Sequence, residues 1–253
     1  MTVFCKASLA LIIFLLLGAC VSVNEKKVPP KEIATVNANL AAEYFRQNRL
    51  EYALANLKKA LAADPESVDA NSLMALVYDR LEQPEKAEEH FKIALDFVAE
   101  DSVKFGEIHN NFAIFLCSHK RPDEAEAHFT IATSSKLYKS PEGAFENAGI
   151  CALQNRDSVK AKQNFLKALE VNPKLPRSLW EMAKIQWNQQ DYLSAREYLH
   201  RLHTINKAVP ETLLLAIKVE QKIGDSKKQQ ELIDQLVSNY SEAEQTKQFI
   251  DKP

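Results

Sequence analysis

A run of 34 residues, 34–67, limits what this chain can fold into more than any other feature, because its pattern returns along the rest of the sequence. Leu40, Ala41, Tyr44, Ala53, Leu57, Ala60 and Pro65 stand at positions 7, 8, 11, 20, 24, 27 and 32 of the run. Helical periodicity puts the first three on one face of a first helix and the next three on the facing side of a second. Alanines at 41 and 53 let the two backbones approach, Tyr44 and Leu57 fill the space beside them, and Pro65 ends the second helix. Such a hairpin cannot bury its apolar side alone and needs stacked neighbours.

Those neighbours follow in the sequence. Residues 68–101 carry Met74, Ala75, Tyr78, Ala87, Phe91 and Ala94 at the same positions. After four extra residues, 106–139 repeat them as Phe112, Ala113, Leu116, Ala125, Phe129 and Ala132, and 142–175 as Ala148, Gly149, Ala152, Ala161, Phe165, Ala168 and Pro173. Residues 176–209 keep Met182, Ala183, Ala195 and Leu199 but place Gln186, Leu202 and Lys207 at positions 11, 27 and 32. In 210–243 Ala216, Ile217 and a Gly224-Asp225 turn survive while Gln229 stands at position 20, so this run reads as a degenerate cap with one face toward water. Residues 244–253 form a tail that extends a helix or frays. The pattern resembles the tetratricopeptide repeat, which implies an all-α solenoid of about six helix-turn-helix units in a right-handed superhelix.

Five glycines in 253 residues suit helix throughout. A formal charge of -2 from 32 basic and 34 acidic residues lacks the concentrated basic face that nucleic acid requires. There is no phosphate-binding glycine loop or nucleophile elbow, and the six histidines show no metal-ligand spacing. His200 and His203 read as part of a solvated helix face. The expectation is a protein-binding scaffold, with no small-molecule substrate, no cofactor and no enzymatic activity. A lipid-anchored enzyme of unfamiliar chemistry is the alternative from another class.

Residues 1–19 have the anatomy of a signal peptide: Lys6, the apolar run 7–17, then Gly18 and Ala19. Leu17-Gly18-Ala19-Cys20 resembles the bacterial lipobox, which implies cleavage before Cys20, diacylglycerol on its sulfur and an acyl chain on its amine. Several acyl chains bury enough methylene groups for stable anchoring. Val21, where aspartate would signal inner-membrane retention, implies the periplasmic face of the outer membrane. Residues 21–33, with Pro29-Pro30, read as an extended tether. Cys117 and Cys151 fall at positions 12 and 10 of neighbouring repeats, and the ordinary behaviour of cysteine favours two half-buried free thiols. An oxidising compartment leaves a disulfide open.

In tetratricopeptide proteins the concave surface is lined by first-helix positions 2, 5, 9, 12 and 13. Carried onto this chain they give Thr35, Ala38, Ala42, Phe45 and Arg46 in the first repeat and Asp69, Ser72, Leu76, Asp79 and Arg80 in the second. Ala38, Ala42, Phe45 and Leu76, edged by Arg46 and Arg80, make a shallow apolar groove for a helix or an extended peptide. In the fifth repeat Trp180, Lys184 and Trp187 stack at i, i+4, i+7 with a cation between two indoles, a second candidate surface in which Trp180 serves packing equally well.

A lipobox, a short tether and repeats filling the rest of the chain resemble the PilF/PilW family of type IV pilus biogenesis lipoproteins. That resemblance implies a pilotin, which takes the secretin subunit to the outer membrane and promotes its multimerisation. A tetratricopeptide lipoprotein of the β-barrel assembly machinery, or an adaptor for cell-wall hydrolases, is the alternative.

Overall fold

The computed structural model describes residues 28–250, and among these it contains thirteen helices and no strand. They are α1 (Pro30–Arg46), α2 (Leu50–Ala63), α3 (Val68–Arg80), α4 (Pro84–Phe97), α5 (Phe105–Ser118), α6 (Pro122–Ser134), α7 (Pro141–Gln154), α8 (Ser158–Val171), α9 (Pro176–Asn188), α10 (Tyr192–Ile205), α11 (Pro210–Ile223), α12 (Ser226–Tyr240) and α13 (Glu244–Ile250). Consecutive helices pair as six antiparallel hairpins, and each hairpin packs on the next, giving an all-α solenoid. The signal peptide, Cys20 and most of the tether lie outside the described residues. The tether itself is shorter than the sequence suggests, because α1 starts at Pro30: Pro29 is extended and Pro30 supplies a pre-set φ at the first helical position.

Prolines also open α4, α6, α7, α9 and α11. Of the four second helices that lack one, three are capped by an aspartate: Asp157, Asp191 and Asp225 accept from the backbone N–H of Lys160, Ser194 and Lys228 at 2.9, 3.1 and 3.0 Å, whereas α2 starts after Arg49 with no side-chain cap.

The alanines at position 20, Ala53, Ala87, Ala125, Ala161 and Ala195, are fully buried, and so are Leu57, Phe91 and Phe165 at position 24. Close approach is strict at Gly149, where a Cβ would stand 2.7 Å from the ring of Phe165. The polar residues at position 11 in the last two repeats have a common cause. Gln186 and Glu220, both at position 11 and both buried, each meet a cation from the second helix of the preceding repeat. Lys162 Nζ donates to Gln186 Oε1 at 2.9 Å, and Arg196 Nε donates to Glu220 Oε1 at 2.9 Å. Burial of the polar group is offset by a hydrogen bond across the repeat boundary.

Every hairpin turns through a left-handed residue at position 15: Asn48, Glu82, Lys120, Arg156 and Gln190 at φ 56–61°, then Gly224 at φ 88°. Only glycine enters that region without a steric penalty. Nothing lies within 4 Å of a Cβ built on Gly224, so Gly224→Ala is a pure backbone substitution. It should cost about 1 kcal/mol in a urea melt, and a stability gain would contradict the turn geometry.

The two ends differ. Positions 3 and 7 are covered in later repeats by the preceding hairpin, as at Ala70, Met74, Ile108 and Phe112. In the first repeat these positions are Val36 and Leu40, which are 60% and 43% exposed beside Ile33. At the other end α13 packs on α11 and α12, bringing Phe249 onto their apolar cluster and burying Thr246, so the tail is a helix that closes the array.

Cys117 and Cys151 are joined by a disulfide, with Cα atoms 5.9 Å apart. The expectation of free thiols is therefore corrected. Positions 12 and 10 of successive first helices lie beside each other because α5 packs directly on α7.

Candidate functional site

The first-helix positions of repeats one and two do form a groove, of about 360 Å³. Ala38 and Ala42 on α1 face Ser72, Leu73 and Leu76 on α3, with Ile108 and Asn111 of α5 closing the far side. Ala38 is buried and Ala42 half-buried, so neither is simply a solvated alanine. The small side chains make the floor and Leu73, Leu76 and Ile108 the apolar wall.

The polar edge is not the expected one. Arg46 pairs with Glu43 on its own helix and stays largely exposed, away from the groove. Phe45 packs in the cluster between α1, α2 and α3, and the Arg80 guanidinium lies over its ring at 5.4 Å from the centroid. Phe45 and Arg80 therefore form a cation–π pair beyond the groove's end and do not line it. The edge consists of Asp69, Lys104 and Glu107, with Lys104 and Asp69 ion-paired. Register arithmetic misses Lys104, because it sits in the insertion between repeats two and three.

The fifth-repeat stripe lines a wider groove of about 490 Å³ between α9 and α11. Trp180, Lys184 and Trp187 form one wall, Leu214, Leu215 and Lys218 the other, and Gln245 of α13 closes one end. Lys184 Nζ lies 5.4 Å from the Trp180 ring centroid and 2.9 Å from Glu181. Both indoles also pack against the core, and Trp187 lies 5.3 Å from Tyr192. Packing and surface roles thus coexist in both residues.

Two polar pairs recur between positions 4 and 23 of a repeat: Asn71 Oδ1 with His90 Nδ1, and His109 Nδ1 with His128 Nδ1, each at 2.8 Å. Burial, and secondarily the charge on His128, pushes the His109 imidazole down to about 4. The 19-residue spacing is the sequence signal for these pairs. His203 is half-buried and hydrogen-bonds Thr212 Oγ1 at 2.9 Å, so of the two helix-face histidines only His200 is solvated. Arg121 joins Glu88 of α4 to Glu124 of α6, both at 2.6 Å, and together with Lys92 holds the Glu88 carboxyl at about 2. Among the described residues no three His, Cys, Asp or Glu side chains come together to hold a metal ion, and no helix is long and apolar enough to cross a membrane.

Six stacked hairpins with an apolar groove at each end of their first-helix face define a tetratricopeptide-repeat protein. The TPR repeat family matches residues 41–81. Type IV pilus assembly protein PilF of Pseudomonas aeruginosa is 32% identical over 186 residues, covering 74% of this chain and 72% of that protein. An uncharacterised protein of Haemophilus influenzae is 31% identical over 165 residues, covering 65% and 90%. The solved structure of P. aeruginosa PilF superposes with a TM-score of 0.73 at 27% identity, over 88% of this chain and 99% of that one. The structure of PilW, described as a widely conserved type IV pilus biogenesis factor, gives 0.70 at 28% identity, over 87% and 99%. The chain belongs to the PilF/PilW family of type IV pilus assembly proteins.

Proposed function

We propose that this chain is a lipoprotein of the periplasmic face of the outer membrane, acylated on Cys20, that binds the secretin subunit of the type IV pilus system and promotes its multimerisation as a non-enzymatic scaffold. The observation that carries the reading is the position of the alanine-floored groove, on the hairpin that directly follows the lipobox and tether. Nine residues lie between Cys20 and Pro30, and the ten steps span at most about 33–36 Å when extended. A client arriving at the same membrane would meet this groove first. Ala38 and Ala42 leave room for a polypeptide, and Leu73, Leu76 and Ile108 supply apolar contact.

The test is the Ala42→Glu variant in cells. A carboxylate on the groove floor should reduce secretin multimers at least about tenfold, the equivalent of ~1.4 kcal/mol, and leave monomers in their place, with the thermal melt unchanged. Cys20→Ala should abolish palmitate labelling and mislocalise the protein. Normal secretin multimers in the Ala42→Glu strain would overturn the assignment of the groove, and continued palmitate labelling of Cys20→Ala would overturn the anchor.

A further inference from the structure

We propose that the groove between α9 and α11 is a second polypeptide-binding surface, built for a segment that carries apolar side chains among acidic residues. Its walls are aromatic and aliphatic: Trp180 and Trp187 on α9, Leu214 and Leu215 on α11. Tryptophan offers a large, rigid contact area at low conformational cost and is enriched at the energetic centre of interfaces.

The charge around these walls selects the occupant. Arg177, Trp180, Lys184 and Trp187 share one face of α9 by helical spacing, and Glu211, Leu214, Lys218 and Lys222 share one face of α11. Lys184 is already matched by Glu181. Among the described residues no ion pair reaches Arg177, Lys218 or Lys222. Lys218 lines the groove itself, Arg177 and Lys222 extend the same two helix faces by spacing, and the acid on those faces is Glu211, so the positive charge is in excess. A basic segment would be repelled, and a wholly apolar one would leave the cations unused. A segment with both apolar and acidic residues satisfies both features. The N-terminal groove has the opposite rim, Asp69 and Glu107 with one lysine, so the two grooves suit chemically different ligands.

The only two tryptophans of the chain both line this groove, so intrinsic tryptophan emission reports on it alone. The probe is a twelve-residue peptide of alternating leucine and glutamate turns that contains no tryptophan or tyrosine, titrated into the purified full chain. A saturable change in emission is expected, weakened by added salt. Lys218→Glu combined with Lys222→Glu should raise the dissociation constant at least about tenfold without moving the thermal melt, since both side chains are exposed. The same variant should gain affinity for the peptide with lysine in place of glutamate. Ala42→Glu should leave peptide binding unchanged, which separates this surface from the proposed secretin groove. Equal binding of the acidic and basic peptides, or no saturable change, would overturn the proposal. A shift in emission with protein concentration alone would do so too, by showing that a second copy of the chain occupies the groove.

Discussion

Ala161→Asp should lower the unfolding free energy by about 3–5 kcal/mol, the penalty for leaving a charge buried without a partner. Ala161 is completely buried at the closest approach of α7 and α8, in the cluster that holds Phe165, Leu179 and Met182. The buried members of that cluster are all apolar, and the ring of Phe165 is already wedged against Gly149. In a repeat array each unit is stabilised chiefly by its neighbours, so losing the fourth hairpin also uncovers the third and fifth. Val159→Asp, two residues away on the same helix but at a position 64% exposed, is the control and should stay within about 0.5 kcal/mol of the parent. Urea melts of the two variants decide the matter. Similar midpoints would mean that the register of α8 is wrong.

Reducing the Cys117–Cys151 disulfide, or replacing both cysteines with serine, should cost about 3–4 kcal/mol. The bond closes a loop across a sequence separation of 34, and chain-entropy arguments assign that range to a loop of such length at 25 °C. It also locks α5 of the third repeat to α7 of the fourth, a boundary otherwise held by packing, the Asn147–Asn110 hydrogen bond and the Lys160–Glu126 ion pair. The loss appears as a lower urea midpoint for the reduced protein, and serine substitution of both residues should reproduce it with no further effect of reductant. An unchanged midpoint on reduction would show that the bond adds nothing to the packing of α5 on α7.

Much of this fold is legible in one dimension because the repeat places a side chain by its position number. Ala53, Ala87, Ala125, Ala161 and Ala195 stand at position 20 and all are buried. Position numbers fail where the local neighbour differs from the average one. Leu40 occupies an interior position yet is exposed, since among the described residues no hairpin covers α1, and Phe45 occupies a concave position yet is drawn aside to stack under Arg80. Lys104 belongs to no repeat position at all. The left-handed turns are silent in the sequence, because five of the six use asparagine, glutamate, lysine, arginine or glutamine where glycine would have advertised the geometry. The disulfide was undecidable from spacing alone, since positions 12 and 10 become neighbours only through the packing of successive first helices. Gln186 reads as decay of the pattern in the sequence, but it and Glu220 at the same position are each one half of a pair whose other half lies 24 residues upstream.

Among the described residues nothing covers the outer flank of α1, which makes the array directional as a building material. Val36 and Leu40 present the surface on which every other hairpin receives its predecessor, whereas α13 seals the opposite terminus. A helical hairpin grafted ahead of Pro30 would find a seat already shaped for it, while one appended after α12 would first have to displace α13. Within the described residues the solenoid is therefore open at its first hairpin and covered at its last, and any modular lengthening of the scaffold should begin at α1.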